Sequence, residues 1–187
     1  KEFRFSINDI IAYPGNTGFS YGPHLHFELR DENGMIINPL TNGLDQPDRL
    51  AAIVEEVALT PLDKDSWVNG NQLPQNFPVF RDRKGEYHFA DTINVFGKIG
   101  VSIKTHDKRE GANNKYQPHQ IEIFVNDEIF HSLKFEKLSY NWQSTANYIN
   151  DYRNSRLNLG DFVKLYRNYG DPTVPVHSVE TDGTMEL

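Results

Sequence analysis

The chain has no cysteine in 187 residues. That removes disulfide scaffolds, Cys-ligated zinc, iron–sulfur clusters and cysteine nucleophiles together. It is also poor in positive charge: 19 Lys and Arg stand against 26 Asp and Glu, a net charge of −7. The densest basic run, Arg81-Asp82-Arg83-Lys84, is interrupted by an acid, so the basic stripe of a nucleic-acid binder is lacking. No apolar run approaches the roughly 18 residues of a membrane-spanning helix. No signal-peptide pattern, internal repeat or low-complexity tract occurs. The glycines from Gly15 to Gly22 precede a strand pattern, not a helix, which excludes a nucleotide-binding phosphate loop.

What is present points to a folded, strand-rich chain. Hydrophobic residues make up 37% and aromatics 12%, with twelve Phe and nine Tyr, too many for a disordered chain. The length suits one large domain or two small ones. The sequence opens on Lys1 inside a strand-like pattern and stops soon after Asp182-Gly-Thr; it reads as a piece of a longer protein.

Phe3 and Phe5 alternate with Arg4 and Ser6, the period of a half-buried strand. Ile10 to Tyr13 is a second short apolar run, ended by the turn signals of Pro14-Gly15-Asn16-Thr17-Gly18. In His24-Leu-His-Phe-Glu-Leu-Arg30, Leu25, Phe27 and Leu29 alternate with His24, His26, Glu28 and Arg30. Asn33-Gly34 marks a hairpin turn, with Met35 to Ile37 as its return strand. Residues 41–50 read as a linker. Residues 49–62 fit a helical face through Leu50, Ile53, Val54 and Val57, or a strand through Ile53, Glu55, Val57 and Leu59; the strand is expected, because strands follow. From Pro78 onward short strands alternate with turns: 78–81 and 86–89 around Lys84-Gly85, then 92–95, 99–104, 120–125 and 129–135 around Asn126-Asp127, and 162–166. That spacing suggests a β-sandwich. Residues 139–158, rich in Asn and Tyr, are expected to form a long ordered loop.

The chemistry-bearing segment runs from Gly15 to Glu28. His24 and His26 lie two apart on the expected strand, with Cα atoms about 6.6 Å apart on one face. Neutral imidazole is the commonest protein metal ligand, and apolar alternates packed in a core would make the pair rigid.

Gly15-Asn-Thr-Gly-Phe-Ser-Tyr-Gly-Pro-His-Leu-His-Phe-Glu-Leu-Arg30, followed by Ile37-Asn-Pro-Leu40, resembles the C-terminal part of the lysostaphin/LytM-type zinc metallopeptidase domain. Residues 48–187, through Pro61-Leu-Asp63 and Val68-Asn-Gly70, resemble more weakly the β-rich extension after this domain in envelope proteins of Bacteroidetes-type bacteria. The resemblance implies a mainly β chain. Residues 1–42 would be the C-terminal segment of an antiparallel-sheet peptidase domain, and residues 43–187 a β-sandwich accessory domain. It implies a Zn2+ cofactor bound by His26, with His24 beside the metal, activating water or stabilising the tetrahedral intermediate. Asn16, Thr17, Gly18, Ser20 and Gly22 would form the substrate loop. The implied activity is endopeptidase cleavage of peptidoglycan peptides in the bacterial envelope, periplasmic or extracellular.

In that family the other ligands come from an upstream His-x-x-x-Asp motif, with a further active-site His between the motifs. No His of this chain has Asp four positions on; His24 and His106 have Glu28 and Glu110 there. The first half of the domain is thus absent, and the chain alone is expected to be inactive. The alternative is a non-catalytic LytM-like module that binds envelope components or activates another hydrolase. A third reading makes residues 48–187 an independent adhesion or carbohydrate-binding sandwich.

His88, His106, His119, His131 and His177 lie singly and read as surface or structural histidines. His106-Asp107 with Glu110, Asn113 and Asn114 is oxygen-rich, but lacks the spacing of a known calcium loop. Trp67, Tyr140, Trp142, Tyr148 and Tyr152 read as packing and loop anchors ahead of a sugar platform.

Overall fold

The computed structural model describes residues 3–18, 20–44, 48–111, 113–139, 146–172, 176 and 181–187. The fold is mainly β, built from several antiparallel sheets. The strands are β1 (Leu29–Arg30), β2 (Ile36–Ile37), β3 (Ile53–Pro61), β4 (Trp67–Val68), β5 (Gln75–Pro78), β6 (Phe80–Arg81), β7 (Tyr87–His88), β8 (Val95–Phe96), β9 (Lys98–His106), β10 (Gln120–Val125), β11 (Glu128–Lys134), β12 (Lys137–Leu138), β13 (Val163–Lys164) and β14 (Met185–Glu186). Two short helices, α1 (Ala146–Ile149) and α2 (Tyr152–Arg156), precede β13.

The principal sheet has the order β13-β9-β3-β5, and β14 also pairs with β9. The two long strands β3 and β9 pair antiparallel from Ile53 opposite His106 to Pro61 opposite Ile99. The helical alternative for residues 49–62 loses here because β3 is flanked by strands on both sides. Pairing from Ile53 to Pro61 outweighs the local helix preference. Two core clusters lie against this sheet. One gathers Leu133, Ile149, Val163, Leu165 and Val176; the other gathers Leu59, Val68 and Ile99. Burying a side chain such as Leu133 contributes about 2–3 kcal/mol.

The turns follow the residues that can adopt them. β10 and β11 form a hairpin around Asn126 and Asp127, whose φ values of 51° and 66° are those a tight two-residue hairpin demands. Gly97 separates β8 from β9 with φ 79°, and a Cβ there would lie 2.5 Å from Ser66 Oγ. Backbone conformation and the approach of Ser66 therefore both require glycine. β1 and β2 pair around Asn33-Gly34 as expected, and Asp31 Oδ1 accepts from the N–H groups of Asn33 and Met35. Their third strand, β12, comes from the region beyond residue 43: Lys137 pairs with Ile37, and its ammonium lies 3.2 Å from Asp31.

Three expectations need correction. Residues 3–6 and 10–13 are not strands; Phe3 and Phe5 stack on each other at 6.4 Å between centroids, and both are exposed. Their alternation has no strand opposite it among the described residues. Only the last two residues of the 24–30 stretch are in a strand, with an isolated bridge at His24. Residues 139–158 are not all loop, since α1 and α2 fall there. Asp151 caps α2, its carboxylate accepting from Asn154 N at 3.2 Å, which satisfies an amide that the helix itself leaves unpaired.

Candidate functional site

The Gly15–His24 bridge closes the loop that the sequence marks as the site, with His24 N donating to Gly15 O at 3.4 Å. Within the loop Ser20 Oγ donates to Gly22 O at 2.7 Å, and His24 Nδ1 lies 3.0 Å from both Ser20 Oγ and Gly22 O. A carbonyl only accepts, so the contact to Gly22 O places a proton on His24 Nδ1. In the neutral ring Nε2 is then the acceptor. Gly18 has φ 84°, and Asn16 and Thr17 are exposed beside it.

His26 follows with its side chain 74% exposed and Nε2 3.6 Å from Glu28 Oε2. Arg30 holds Glu28 from the other side, its Nε 2.9 Å and its Nη2 2.5 Å from Oε1. The period-two spacing thus brings His26, Glu28 and Arg30 into one polar row. Packing of the alternate residues does not follow: Leu25 is 84% exposed, and Phe27 is also exposed. The rigid core beneath the His pair is therefore not supplied by the described residues.

These side chains do not by themselves make a zinc centre. A catalytic zinc takes three protein ligands and one water, and neither His24 nor His26 belongs to a group of three close ligand side chains among the described residues. The one such group there is Asp82, Glu86 and His88, on the β6–β7 hairpin. His88 Nε2 lies 3.1 Å from Asp82 Oδ2 and 3.9 Å from Glu86 Oε2. Asp82 Oδ1 meanwhile accepts from the backbone of Lys84 and Glu86. The turn at Lys84-Gly85 folds Asp82 back onto His88, a local signal that reading His88 singly overlooks.

His106 is a structural histidine, in keeping with its reading from the sequence, but its partner comes from a strand distant in the sequence. His106 is 9% exposed and its Nδ1 lies 2.9 Å from Glu55 Oε1. Glu55 sits in a bulge of β3: Val54 pairs with Thr105 and Glu56 with Lys104, leaving Glu55 with no residue opposite on β9. Lys115 and Lys104 place their ammonium groups 3.1 and 3.4 Å from the same carboxylate. Burial pushes the Glu55 carboxyl up, but the hydrogen bonds and charges of Lys115 and Lys104 more than offset this and hold it below the usual value. These groups line a cleft of about 360 Å³, continued by Tyr116, Asn150 and Asp161. His106 is thus tied to Glu55 and belongs to no group of three close His, Asp or Glu ligand side chains among the described residues.

The remaining residues singled out in the sequence are dispersed. His131 is fully buried with Nδ1 3.1 Å from Thr181 Oγ1. Burial, then the nearby Arg167 charge, lowers its pKa despite Asp182. Trp67 stacks on Phe96 at 5.8 Å, while Tyr148 and Tyr152 are exposed on the two short helices. Tyr140, Trp142 and His177 lie outside the described residues.

Comparison with protein-family models, with curated proteins and with solved structures gives no match for this chain.

Proposed function

We propose that this chain carries the His-x-His segment of a LytM-type zinc metalloendopeptidase acting on the peptides of cell-wall peptidoglycan, with residues 43–187 as an accessory β region. The observation that carries this reading is the hydrogen-bonded unit of Ser20, Gly22 and His24 closed by the Gly15 bridge, with His26 two residues on. The exposed Leu25 and Phe27 support it too. On this reading the strands that would cover Leu25 and Phe27 come from the other half of such a domain. That half would also bring the missing ligands. No hydrolytic step is assigned to the residues present. His24 offers Nε2 as a hydrogen-bonding group, and Glu28, held by Arg30, lies beside His26.

The substrate implies a bacterial envelope location, periplasmic or extracellular. No helix among the described residues is long and apolar enough to cross a membrane. The second reading, a non-catalytic module that binds envelope components or activates a hydrolase, is favoured by the incomplete ligand set around His26 among the described residues.

The coding sequence upstream of Lys1 separates the two. An in-frame His-x-x-x-Asp motif, with a further His before His24, supports the peptidase. A start codon just before Lys1, or an upstream half without those residues, supports the binding module.

A further inference from the structure

We propose that the β6–β7 hairpin binds a divalent transition-metal ion through Asp82, Glu86 and His88. The proposal is independent of the reading of His24 and His26.

The hairpin places the three side chains on one face. Phe80 pairs with His88 and Arg81 with Tyr87, and Asp82 N donates to Glu86 O at 2.8 Å, so Asp82 stands opposite Glu86. Glu86 and His88 flank Tyr87 and therefore share a face. One ligand atom from each of the three lies within 4.8 Å of the others. An ion at about 2.0–2.2 Å from each ligand joins atoms up to roughly 4 Å apart. A small rotation of the Glu86 side chain, which is 65% exposed, completes that arrangement.

Two of the three ligands are held in advance. Asp82 Oδ1 accepts from the backbone N–H groups of Lys84 at 2.8 Å and Glu86 at 2.9 Å, while Oδ2 faces His88 Nε2 at 3.1 Å. The Phe80 ring lies beside the His88 ring, with 5.9 Å between centroids. Ligands fixed before the ion arrives reduce the cost of ordering them on binding.

The charges point the same way. Arg81, Arg83 and Lys84 lie in this hairpin, yet neither carboxylate pairs with a lysine or arginine among the described residues. Arg81 donates instead to Gly85 O at 3.1 Å and lies over the Tyr87 ring. With a neutral imidazole, the two facing carboxylates carry the charge that one divalent cation balances. The donor set then selects the ion: imidazole suits zinc, copper and nickel, whereas calcium and magnesium take oxygen ligands. All three side chains are reached from solvent, and water fills the remaining coordination positions. An open site of this kind exchanges its ion and loses it on dialysis, unlike an enclosed catalytic zinc.

The test is an NMR titration of the full chain at pH 7 with Zn2+ and, separately, with Ca2+, each up to about 1 mM. The readout is the 15N resonance of His88 Nε2; the rings of His24 and His26 report separately, so this outcome and that of the peptidase reading are distinguishable. Zn2+ is expected to shift the His88 resonance saturably, and Ca2+ is not. Asp82→Asn keeps an oxygen for the two backbone N–H groups and removes the charge, and Glu86→Gln removes the other; each is expected to weaken Zn2+ binding at His88 at least about tenfold. Backbone amide resonances of Lys84 and Gly85 check that the turn persists in the variants. An unmoved His88 resonance with Zn2+ would overturn the proposal. So would Ca2+ binding of equal strength, or Zn2+ binding at His88 that neither substitution weakens, which is the behaviour of a lone surface imidazole.

Discussion

Glu55 Oε1 lies 2.9 Å from His106 Nδ1 across a bulge in the longest strand pair among the described residues. The contact ties two strands together through side chains where their backbone register slips. Its carboxylate also holds Lys104 and Lys115, which come from β9 and from the loop after it.

Replacing Glu55 by Gln keeps its size and removes the charge that all three groups share. The expected loss of stability is about 1–2 kcal/mol, modest because the site is partly open to solvent. The sign with pH follows from the lowered carboxyl value. The contribution is present above the ordinary glutamate value of 4.5 and is lost as pH falls through the lower folded-state value. Urea unfolding between neutral pH and pH 3 checks this: the parent should lose more stability on acidification than Glu55→Gln.

His131 acts in a different pH window. It is buried and its pKa is lowered from the ordinary 6.5, so the unfolded chain takes up a proton more readily than the folded one. Its neutral form is accommodated without penalty above that value. Stability is lost as pH falls below it, down to the folded-state value. His131→Gln should flatten the stability profile between pH 7 and pH 5.5 relative to the parent. A profile unchanged in the variant would show that His131 does not titrate differently on folding.

Two leucines separate core from uncovered surface. Leu133 is 0% exposed in the larger core cluster and Leu25 is 84% exposed in the His segment. Leu133→Ala should cost about 2–5 kcal/mol, whereas Leu25→Ala in this chain should change stability by less than about 0.5 kcal/mol. Chemical denaturation of the two variants checks the pair. A large loss at Leu25 would mean that the His segment packs against a core after all.

Features fixed by local chemistry were legible from the sequence. Asn33-Gly34 and Asn126-Asp127 announce turns because few residues adopt the backbone those turns require, and both hairpins form where expected. The alternation of β10 and β11 likewise marks a hairpin. Asp151 carried a capping signal for α2, obscured by the poor helix formers around it. Phe3, Phe5, Leu25 and Phe27 show the limit of periodicity: alternation marks which residues would share a face, but not whether another strand will cover it. Glu55 and His106 were not legible as a pair. Their meeting depends on the β3–β9 register and on a bulge at one position, and no local pattern encodes either. Asp82 and His88 stood closer to legibility, since one turn joins them.

The central proposal is that the His segment belongs to a zinc peptidase, and it is most directly tested on a polypeptide that includes whatever coding sequence precedes Lys1. Zinc content and release of peptides from purified peptidoglycan are measured for the parent and for His26→Ala. The account predicts one zinc per chain and peptide release in the parent, with both abolished in the variant. Zinc retention and undiminished peptide release in His26→Ala would contradict it.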